Sequence, residues 1–345
     1  MFSCPGPLST NGPRVLLAHG EGGRATRRLL EEHVFSTLGT SVENRASDAA
    51  RLPKLAGDTH FTTDSFVVSP LFFPGGDIGK LAVFGTANDL SVSGARPRWL
   101  SLALMIEEGF SLETFDTVLR SIAAAASEAN IEIVTGDTKV LPRGAADGMF
   151  INTAGIGECM LPGLLGPAGL REGDELVVSG AIARHGAAVL AAREQMDMTP
   201  LPTSDCGLLV PVVEAMCHAC LPIVAMRDAT RGGVAAVLQE WALACGQAMA
   251  IRESAIPVTA EVRGICELLG LDPLHLANEG TMVIAVRPGF GEQTVSVLRS
   301  AGVAPGAAMI GRVQQRAISP VIVERGLGRA VPLDEPIGAP LPRIC

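Results

Sequence analysis

The chain has 345 residues, a length that favours two domains of about 150 residues over one. Hydrophobic residues make up 48% and charged residues 18%, which excludes a mainly disordered protein. The formal net charge of −9, from 27 Lys and Arg against 36 Asp and Glu, argues against electrostatic binding to nucleic acid or anionic lipid.

The first half of the chain predicts alternating helices and strands. Between Arg24 and Leu38 apolar residues recur at helical spacing, and Gly39 follows as a suitable C-cap. Ser111 is a suitable N-cap for a helix that begins at Leu112. The predicted elements are a Gly-rich turn at 17–24, a helix over 24–38, a strand and turn in HFTTDSFVVSPLFFPGGD, a helix over 78–93, a helix over 112–130, a strand over 131–135 that delivers a GDTK loop, and a strand over 150–158.

The second half repeats this alternation after a Pro- and Gly-rich segment at 161–174, which marks a change of domain. Its predicted elements are strands in ELVVSG, TMVIAV and AMIGRV, a helix from Gly186, a helix over 206–220 and a helix that ends at Gly246. The final LDEPIGAPLPRIC shows no periodicity and is predicted to be an extended tail. We therefore divide the chain into an N-terminal segment with the first helix (1–45), two α/β domains (46–165 and 166–332) and a flexible tail (333–345).

Acidic residues recur at the ends of apolar segments. They are Asp48, Asp64, Asp89, Asp137 and Asp228. A carboxylate just past a strand lies at the rim of a sheet, where α/β folds often bind ligands. Each one taken singly is also explained as a helix cap or a turn residue. Five together favour a cation site, because hard oxygen ligands suit Mg²⁺ that carries phosphates.

Two glycine-containing turns precede helices and are candidate phosphate sites, since backbone N–H groups at a helix N-terminus bind anions. The first contains Gly20, Gly22 and Gly23 around Glu21. The second is TRGG at 230–233, in which Arg231 adds a cation. A simple turn without a ligand is the alternative interpretation of both.

The eight cysteines are scattered and do not indicate a disulfide framework. With no apolar run that could cross a bilayer and no secretory signal at the start, we expect a cytoplasmic protein. In the CHAC sequence, helical spacing predicts that Cys217 and Cys220 face the core, and no second CxxC supports a zinc site. Cys345 ends the predicted tail and stabilises no core, which makes it a candidate carrier of a covalent cargo.

Several segments, in this order and spacing, resemble the HypE family of carbamoyl dehydratases, which act in the maturation of [NiFe] hydrogenases. They are LAHGEGG, FTTDSFVVSPLFFPGGDIGKLAVFGTANDLSVSGA, IVTGDTKV, RGAADGMFINTAG, RDATRGGV, VRGICELLGLDPL, LANEGT and the terminal LPRIC. TTDS, NDL and GDTK belong to a wider superfamily that includes aminoimidazole ribonucleotide synthetase, thiamine-phosphate kinase and selenophosphate synthetase. PLFFPGGDIG and PRIC are specific to the HypE family.

The resemblance implies a PurM-like fold with an N-terminal α/β domain, which binds ATP and pairs in a homodimer, and a C-terminal α+β domain. It also implies that a carbamoyltransferase, HypF, loads a carbamoyl group onto the terminal cysteine, here Cys345. ATP-dependent dehydration would convert that group to a thiocyanate. The cyanide would then pass to iron on a HypC–HypD complex.

The resemblance further implies a role for each matching residue. Mg²⁺ would be held by Asp48, Asp64, Asp89, Asp137 and Asp228. Nucleotide would be held by Gly20, Gly22, Gly23, Asn88, Asp89, Asp137, Thr138 and Arg231. Glu279 and Lys139 would form the pair that removes a proton from the substrate nitrogen, although each is otherwise explained as a turn residue or a solvated lysine.

Two positions depart from the family pattern. Arg184 stands where an aspartate is expected before His185, and Glu21 replaces a small residue in the Gly-rich loop. Two other functions remain open. One is a small-molecule kinase or synthetase of the same superfamily in which Cys345 is incidental, and the other is a non-catalytic scaffold.

Overall fold

A computed structural model of the protein describes residues 12–39, 49–335 and 344. These residues form a four-stranded sheet, a seven-stranded sheet and a two-stranded hairpin, with helices packed against the two larger sheets. This is the mixed α/β two-domain architecture that the sequence predicts. Within the described ranges, no helix is long and apolar enough to span a bilayer.

The first half is built on the four-stranded sheet. The strands of this sheet are β1 (Thr59–Phe66), β4 (Ala95–Glu107), β5 (Glu132–Leu141) and β6 (Met149–Cys159). The hairpin consists of β2 (Phe72–Phe73) and β3 (Gly76–Asp77). The helices of the first half are α1 (Arg24–Leu29), a π-helical segment (Leu30–Phe35), α2 (Ser36–Leu38), α3 (Ile78–Val92) and α4 (Leu112–Ala129), after a 3₁₀ turn at Leu17–Gly20. The sheet order is β1-β6-β4-β5, with only the β4–β5 pair parallel.

Alternation of buried and exposed residues shows that this sheet is covered on one face only. The even-numbered positions of β4 from Leu100 to Ile106 are buried, and they belong to one apolar cluster with residues of α3 and α4. Phe61, on the opposite face, is 68% exposed. We call the face opposite α3 and α4 the open face.

The second half is built on the seven-stranded sheet, with order β13-β12-β9-β11-β7-β10-β8. Its strands are β7 (Glu175–Val178), β8 (Ile223–Asp228), β9 (Ala248–Arg252), β10 (Met282–Val286), β11 (Ala308–Gln314), β12 (Val321–Arg325) and β13 (Arg329–Pro332). Its helices are α5 (Arg184–Arg193), α6 (Val210–His218), α7 (Gly233–Cys245), α8 (Ala260–Leu269) and α9 (Gly291–Ser300). Short 3₁₀ turns lie at Pro167–Gly169, Glu253–Ala255, Pro273–His275 and Gly326–Gly328.

Helices cover both faces of this second sheet. Leu176 and Val178 of β7 pack in one cluster with residues of α5, α7 and α8, whereas Val177 packs with residues of α6 and α9. Near-continuous apolar strands such as MVIAV of β10 are the expected consequence, because both faces are buried.

Local capping explains where the first-half helices begin and end. The Asp77 side chain accepts from the backbone N–H of Gly79 at 2.8 Å and of Lys80 at 3.1 Å, which starts α3. Ser111 caps α4 as predicted, accepting from Thr114 N at 3.4 Å. Gly39 ends α2 in the left-handed conformation at φ 66°, also as predicted.

Two predicted boundaries are wrong. GDTK lies inside β5, since pairing with β4 continues as far as Glu107 opposite Leu141. The helix expected over 206–220 spans only Val210–His218. The reason is tertiary: the Cys206 N–H bonds to the Ser204 hydroxyl and the Gly207 N–H to the Glu279 carbonyl, instead of along a helix.

Leu81→Ala should lower the free energy of unfolding by about 2–5 kcal/mol, because Leu81 of α3 is fully buried and truncation leaves a cavity. Leu268→Ala in α8 is the matched control, since Leu268 is 76% exposed. Urea titrations of both variants measure the difference. Equal losses would contradict the packing described for α3.

Candidate functional site

Four predicted acidic residues line one cleft between the two halves of the chain. Asp64 comes from β1, Asp89 from α3, Asp228 from the end of β8 and Glu279 from the loop before β10. The cleft has a volume of about 540 Å³ and is also lined by Arg231. We call it the acidic cleft.

Asp64 and Asp89 share a hydrogen bond across the first-half side of the acidic cleft. Burial, followed by repulsion from Asp89, raises the pKa of Asp64 to about 7. Burial also raises the pKa of Asp89, while the Thr62 hydroxyl, which donates to Asp89 Oδ2 at 2.9 Å, opposes the shift. Asp64 and Asp89 are therefore a buried carboxyl pair that shares a proton across this hydrogen bond.

The second-half side of the cleft has the same character. Burial and the Asp89 charge raise the pKa of Asp228 to about 6, with Arg227 opposing the shift. Burial and the neighbouring aspartates raise the pKa of Glu279 well above its usual range. Glu279 is 3% exposed and its Oε1 has no hydrogen-bond partner. It is the group with the least solvation in the cleft.

The backbone around Glu279 is held by Asp205, which the sequence analysis missed. Asp205 Oδ1 accepts from Glu279 N at 3.1 Å, and its Oδ2 accepts from Gly280 N at 3.2 Å. A Cβ atom at Gly280 would lie 1.9 Å from the Asp205 carbonyl oxygen, so only glycine fits there. Asp205 stands in an irregular segment with no periodicity, and its acidic character alone gave no signal.

Asn88, predicted to hold nucleotide, is buried between the two halves and bonds to backbone groups. It is 2% exposed, and its Nδ2 donates to the carbonyls of Gly207 at 2.9 Å and Glu279 at 3.3 Å. Its Oδ1 accepts from Leu209 N at 2.8 Å. The amide thus fastens α3 to two loops of the second half, and the nucleotide contact stays a prediction.

A second cavity, of about 420 Å³, collects another group of predicted residues. Gly20 and Gly22 line it from the Gly-rich turn, and Asp137, Thr138 and Lys139 line it from β5. Its apolar lining is Leu30, Val34, Phe35, Leu38, Leu102, Leu104, Ile133 and Val134. We call it the glycine-loop cavity; Gly23, the N-cap of α1, does not line it.

The acidic cleft and the glycine-loop cavity lie apart in a single chain. Asp64 of β1 and Gly136 of β5 lie in one row of the sheet, which runs across β6 and β4. They are separated by three strand spacings, or about 14 Å. Asp64 points to the helix-covered face, whereas Asp137 is next to Gly136 and points to the open face. Lys139 pairs with Asp137, with Nζ to Oδ2 at 3.8 Å. One chain therefore does not bring Lys139 to Glu279.

The remaining predictions have mixed outcomes. Asp48 and Cys345 lie outside the described residues. Arg231 lines the acidic cleft and lowers the pKa of Asp64, as a cation at a phosphate site would. The prediction for the CHAC sequence is wrong for Cys220, which is exposed at φ 49° just beyond the end of α6.

The acidic cleft suits Mg²⁺ in its donor chemistry, because its carboxylate oxygens are hard ligands. The raised pKa values of Asp64 and Asp228 and the unpartnered Oε1 of Glu279 are properties of a cluster whose charge a cation would balance. Among the described residues, however, no three His, Cys, Asp or Glu side chains already converge as a metal site. The predicted five-carboxylate set is not assembled within these ranges.

Comparison with protein families gives two matches. Residues 46–159 match the N-terminal domain of AIR synthase related proteins, and residues 171–324 match the C-terminal domain of the same group. Carbamoyl dehydratase HypE of Escherichia coli (strain K12) is 46% identical over 337 residues, which cover 96% of this chain and 99% of that protein. Carbamoyl dehydratase HypE of Rhodobacter capsulatus is 44% identical over 342 residues, which cover 98% and 100%.

Solved structures agree with these matches. The crystal structure of E. coli HypE is similar with a TM-score of 0.88 at 47% identity, covering 92% of this chain and 100% of that one. A HypE in complex with ATP has a TM-score of 0.91 at 41% identity and covers 96% and 99%. A HypE–HypF complex contains a chain with a TM-score of 0.78 at 41% identity, covering 89% and 99%.

In metal-free buffer, the free energy of unfolding should fall as the pH rises from about 4 to about 7. Asp64 has its pKa raised from 3.8 to about 7, so the folded state binds more protons than the unfolded state in this window. Asp64→Asn should flatten the slope and raise the stability at pH 8. Urea titrations at several pH values in EDTA measure this, with exposed Asp58→Asn as the control that keeps the wild-type slope. An unchanged slope in Asp64→Asn would contradict the assignment.

Proposed function

The chain belongs to the HypE family of carbamoyl dehydratases, and from this we propose that it converts an S-carbamoyl group on its own Cys345 into S-cyanate at the expense of ATP. The cyano group would become the cyanide ligand of iron in [NiFe] hydrogenases. One observation carries the proposal. Ile344, which precedes Cys345 in the sequence, is 7% exposed in the apolar cluster that includes Cys206 and Ala277, so Ile344 is buried beside the segment that holds Glu279.

The proposed reaction balances with ATP as the second substrate. The carbamoyl oxygen attacks the γ-phosphorus, ADP leaves, and the oxygen becomes part of a good phosphate leaving group. The nitrogen then loses its two protons as the C–O bond breaks and the C≡N bond forms. Thiocyanate, ADP and inorganic phosphate result. ATP is needed because an amide oxygen is a poor leaving group until it is phosphorylated.

Glu279 is the proposed base for the nitrogen proton. Its carboxylate is buried and has a free oxygen, so it is available to a substrate that enters the cleft. Its raised pKa makes it a strong proton acceptor once ionised. Any cation that neutralises Asp64, Asp89 or Asp228 weakens the repulsion that keeps Glu279 protonated.

Asp64, Asp89 and Asp228 are the described residues that would hold Mg²⁺. When bound, the ion would neutralise the charge of the polyphosphate and of the carboxylates. The TRGG turn supports a phosphate nearby. Gly233 approaches the second-half loop so closely that a Cβ would lie 2.5 Å from the carbonyls of Leu274 and Leu276. This contact places the N-terminus of α7 and Arg231 at the acidic cleft.

A homodimer would complete the site by pairing open faces. Phe61, Ile156 and Trp99 are register neighbours across β1, β6 and β4 and form an apolar row on the open face. A large exposed phenylalanine in such a row is typical of an interface. We propose that this pairing sets the partner's β5, with Asp137 and Lys139 on its open face, beside β1 and the acidic cleft, which accounts for the separation of the two groups within one chain.

Loading of Cys345 is assigned to a HypF-type carbamoyltransferase, because a similar HypE has been solved in a HypE–HypF complex. The receiver of the cyano group is proposed to be a HypC–HypD iron complex. A cytoplasmic location remains the expectation from the sequence.

The alternative, a small-molecule kinase or synthetase, predicts turnover on a free substrate after removal of Cys345, whereas the carrier function predicts none.

Glu279→Gln should abolish cyanation, with a loss of at least about 100-fold, while carbamoylation of Cys345 by a HypF-type enzyme continues. Intact mass after incubation with the carbamoyltransferase, carbamoyl phosphate and ATP distinguishes the two adducts. Glu240→Gln is the matched control, since Glu240 lines the same cleft but pairs with Arg227 at 2.5 Å. Cyanation by Glu279→Gln, or adducts on a residue other than Cys345, would overturn the proposal.

Co-expression of Asp64→Asn with Asp137→Asn should restore activity that neither variant has alone. Half of randomly paired dimers contain both chains, and each has one intact composite site of two, which gives about a quarter of wild-type activity. The pair Asp64→Asn with Asp89→Asn is the control, because both residues come from the same chain and no site is intact. Absence of recovery in the first pair would refute the composite site.

A further inference from the structure

The only described residue of the last ten is held by a buried histidine. His185 lies at the start of α5, is fully buried, and its Nε2 donates to the Ile344 carbonyl oxygen at 2.7 Å. The imidazole also meets the edge of Phe73 at 5.2 Å between ring centroids. Ile344 is therefore recognised through its backbone and buried through its side chain.

The hydrogen bonds around His185 determine its tautomer. The Ile344 carbonyl can only accept, so Nε2 must carry the proton. In the neutral ring Nδ1 then has no proton, so Ser204 Oγ donates to His185 Nδ1 at 2.8 Å while it accepts from Cys206 N at 3.0 Å. Burial lowers the pKa of His185, which keeps the ring neutral in this arrangement.

The adjoining residues Ser204 and Asp205 orient both His185 and Glu279. Ser204 bonds to the imidazole, and the next residue, Asp205, binds the backbone N–H groups of Glu279 and Gly280. Ser204 N donates to Pro74 O at 2.8 Å, which ties the segment to the hairpin turn of the first half. The position of Ile344 is thus coupled to that of Glu279 through adjoining residues.

We propose that His185 is a positioning residue that docks the end of the chain, so that the residue bonded to Ile344 presents its cargo to Glu279. Cys345 is one Cα–Cα step of about 3.8 Å from Ile344, so a fixed Ile344 carbonyl limits where the thiol can reach. The inference rests on the proposed function for the identity of the cargo. The docking contact itself does not depend on it.

Arg184, the departure from the family pattern, supports the same arrangement. Its Nε donates to the Thr203 carbonyl at 3.1 Å, directly before Ser204. An aspartate at this position has no N–H group to donate to that carbonyl. Arg184 therefore fastens the segment that orients His185.

Trypsin provides the first test, because cleavage after Arg343 releases the Ile344-Cys345 dipeptide, and this bond is protected only while Ile344 is docked. His185→Phe keeps an aromatic ring but lacks the donor, so release should be several-fold faster than in wild type. His185→Gln should restore protection, since its amide can donate to the Ile344 carbonyl. Exposed His218→Phe is the control. Wild-type protection in His185→Phe, or no rescue by His185→Gln, would overturn the docking role.

A double-mutant cycle measured by Tm distinguishes loss of the His185–Ile344 contact from a general packing defect in His185→Phe. Ile344→Ala should lower the Tm of wild type and leave that of His185→Phe unchanged, because the second variant has already lost the contact. Equal shifts in both backgrounds would refute the coupling between His185 and Ile344.

Single-turnover kinetics separates this inference from the proposed function. Carbamoyl-loaded His185→Phe should form the cyano adduct about 2- to 10-fold more slowly, the worth of one neutral hydrogen bond, while loading by the carbamoyltransferase is not slowed. If Cys345 carries no cargo, the proposed function fails and the trypsin and stability results still decide the docking role. If trypsin cleaves before Ile344 faster in His185→Phe but the cyanation rate of that variant is unchanged, positioning toward Glu279 is refuted.

Discussion

Four carboxylates buried between the two halves are the constraint around which this protein is organised. Asp64 and Asp89 are supplied by the first half, and Asp228 and Glu279 by the second. Burial of like charges is unfavourable, and the cluster responds by holding protons, with the pKa of Asp64 at about 7 and that of Asp228 at about 6. Such a cluster favours the binding of cations, and a site for a nucleotide polyphosphate requires bound cations.

Buried polar side chains that bond to backbone groups hold this unfavourable arrangement in place. Asn88 fastens α3 to the loops at Gly207 and Leu209, and Asp205 holds the backbone of Glu279. Their bonds cross between the two halves or between loops, so the positions of the carboxylates depend on contacts between segments more than 70 residues apart in sequence.

Local patterns predicted the elements well and the ends of some elements poorly. The helix from Ile78, the cap at Ser111 and the left-handed Gly39 follow from side chains within a few residues. GDTK was expected as a loop because its composition is turn-like, but pairing with β4 extends the strand through it. The composition of a strand end does not reveal a neighbouring strand that is distant in sequence.

The sequence by itself determined the two-domain α/β class, the residues of the acidic cleft and, through family resemblance, the chemistry. Motifs identify such residues because the chemistry needs particular groups at particular local spacings. The tertiary structure alone decided that Asp137 and Lys139 lie on the other face from Asp64, that the Asn88 amide bonds to backbone groups of the second half, and that His185 contacts Ile344. These outcomes depend on strand register and on contacts between distant segments, which sequence spacing does not encode.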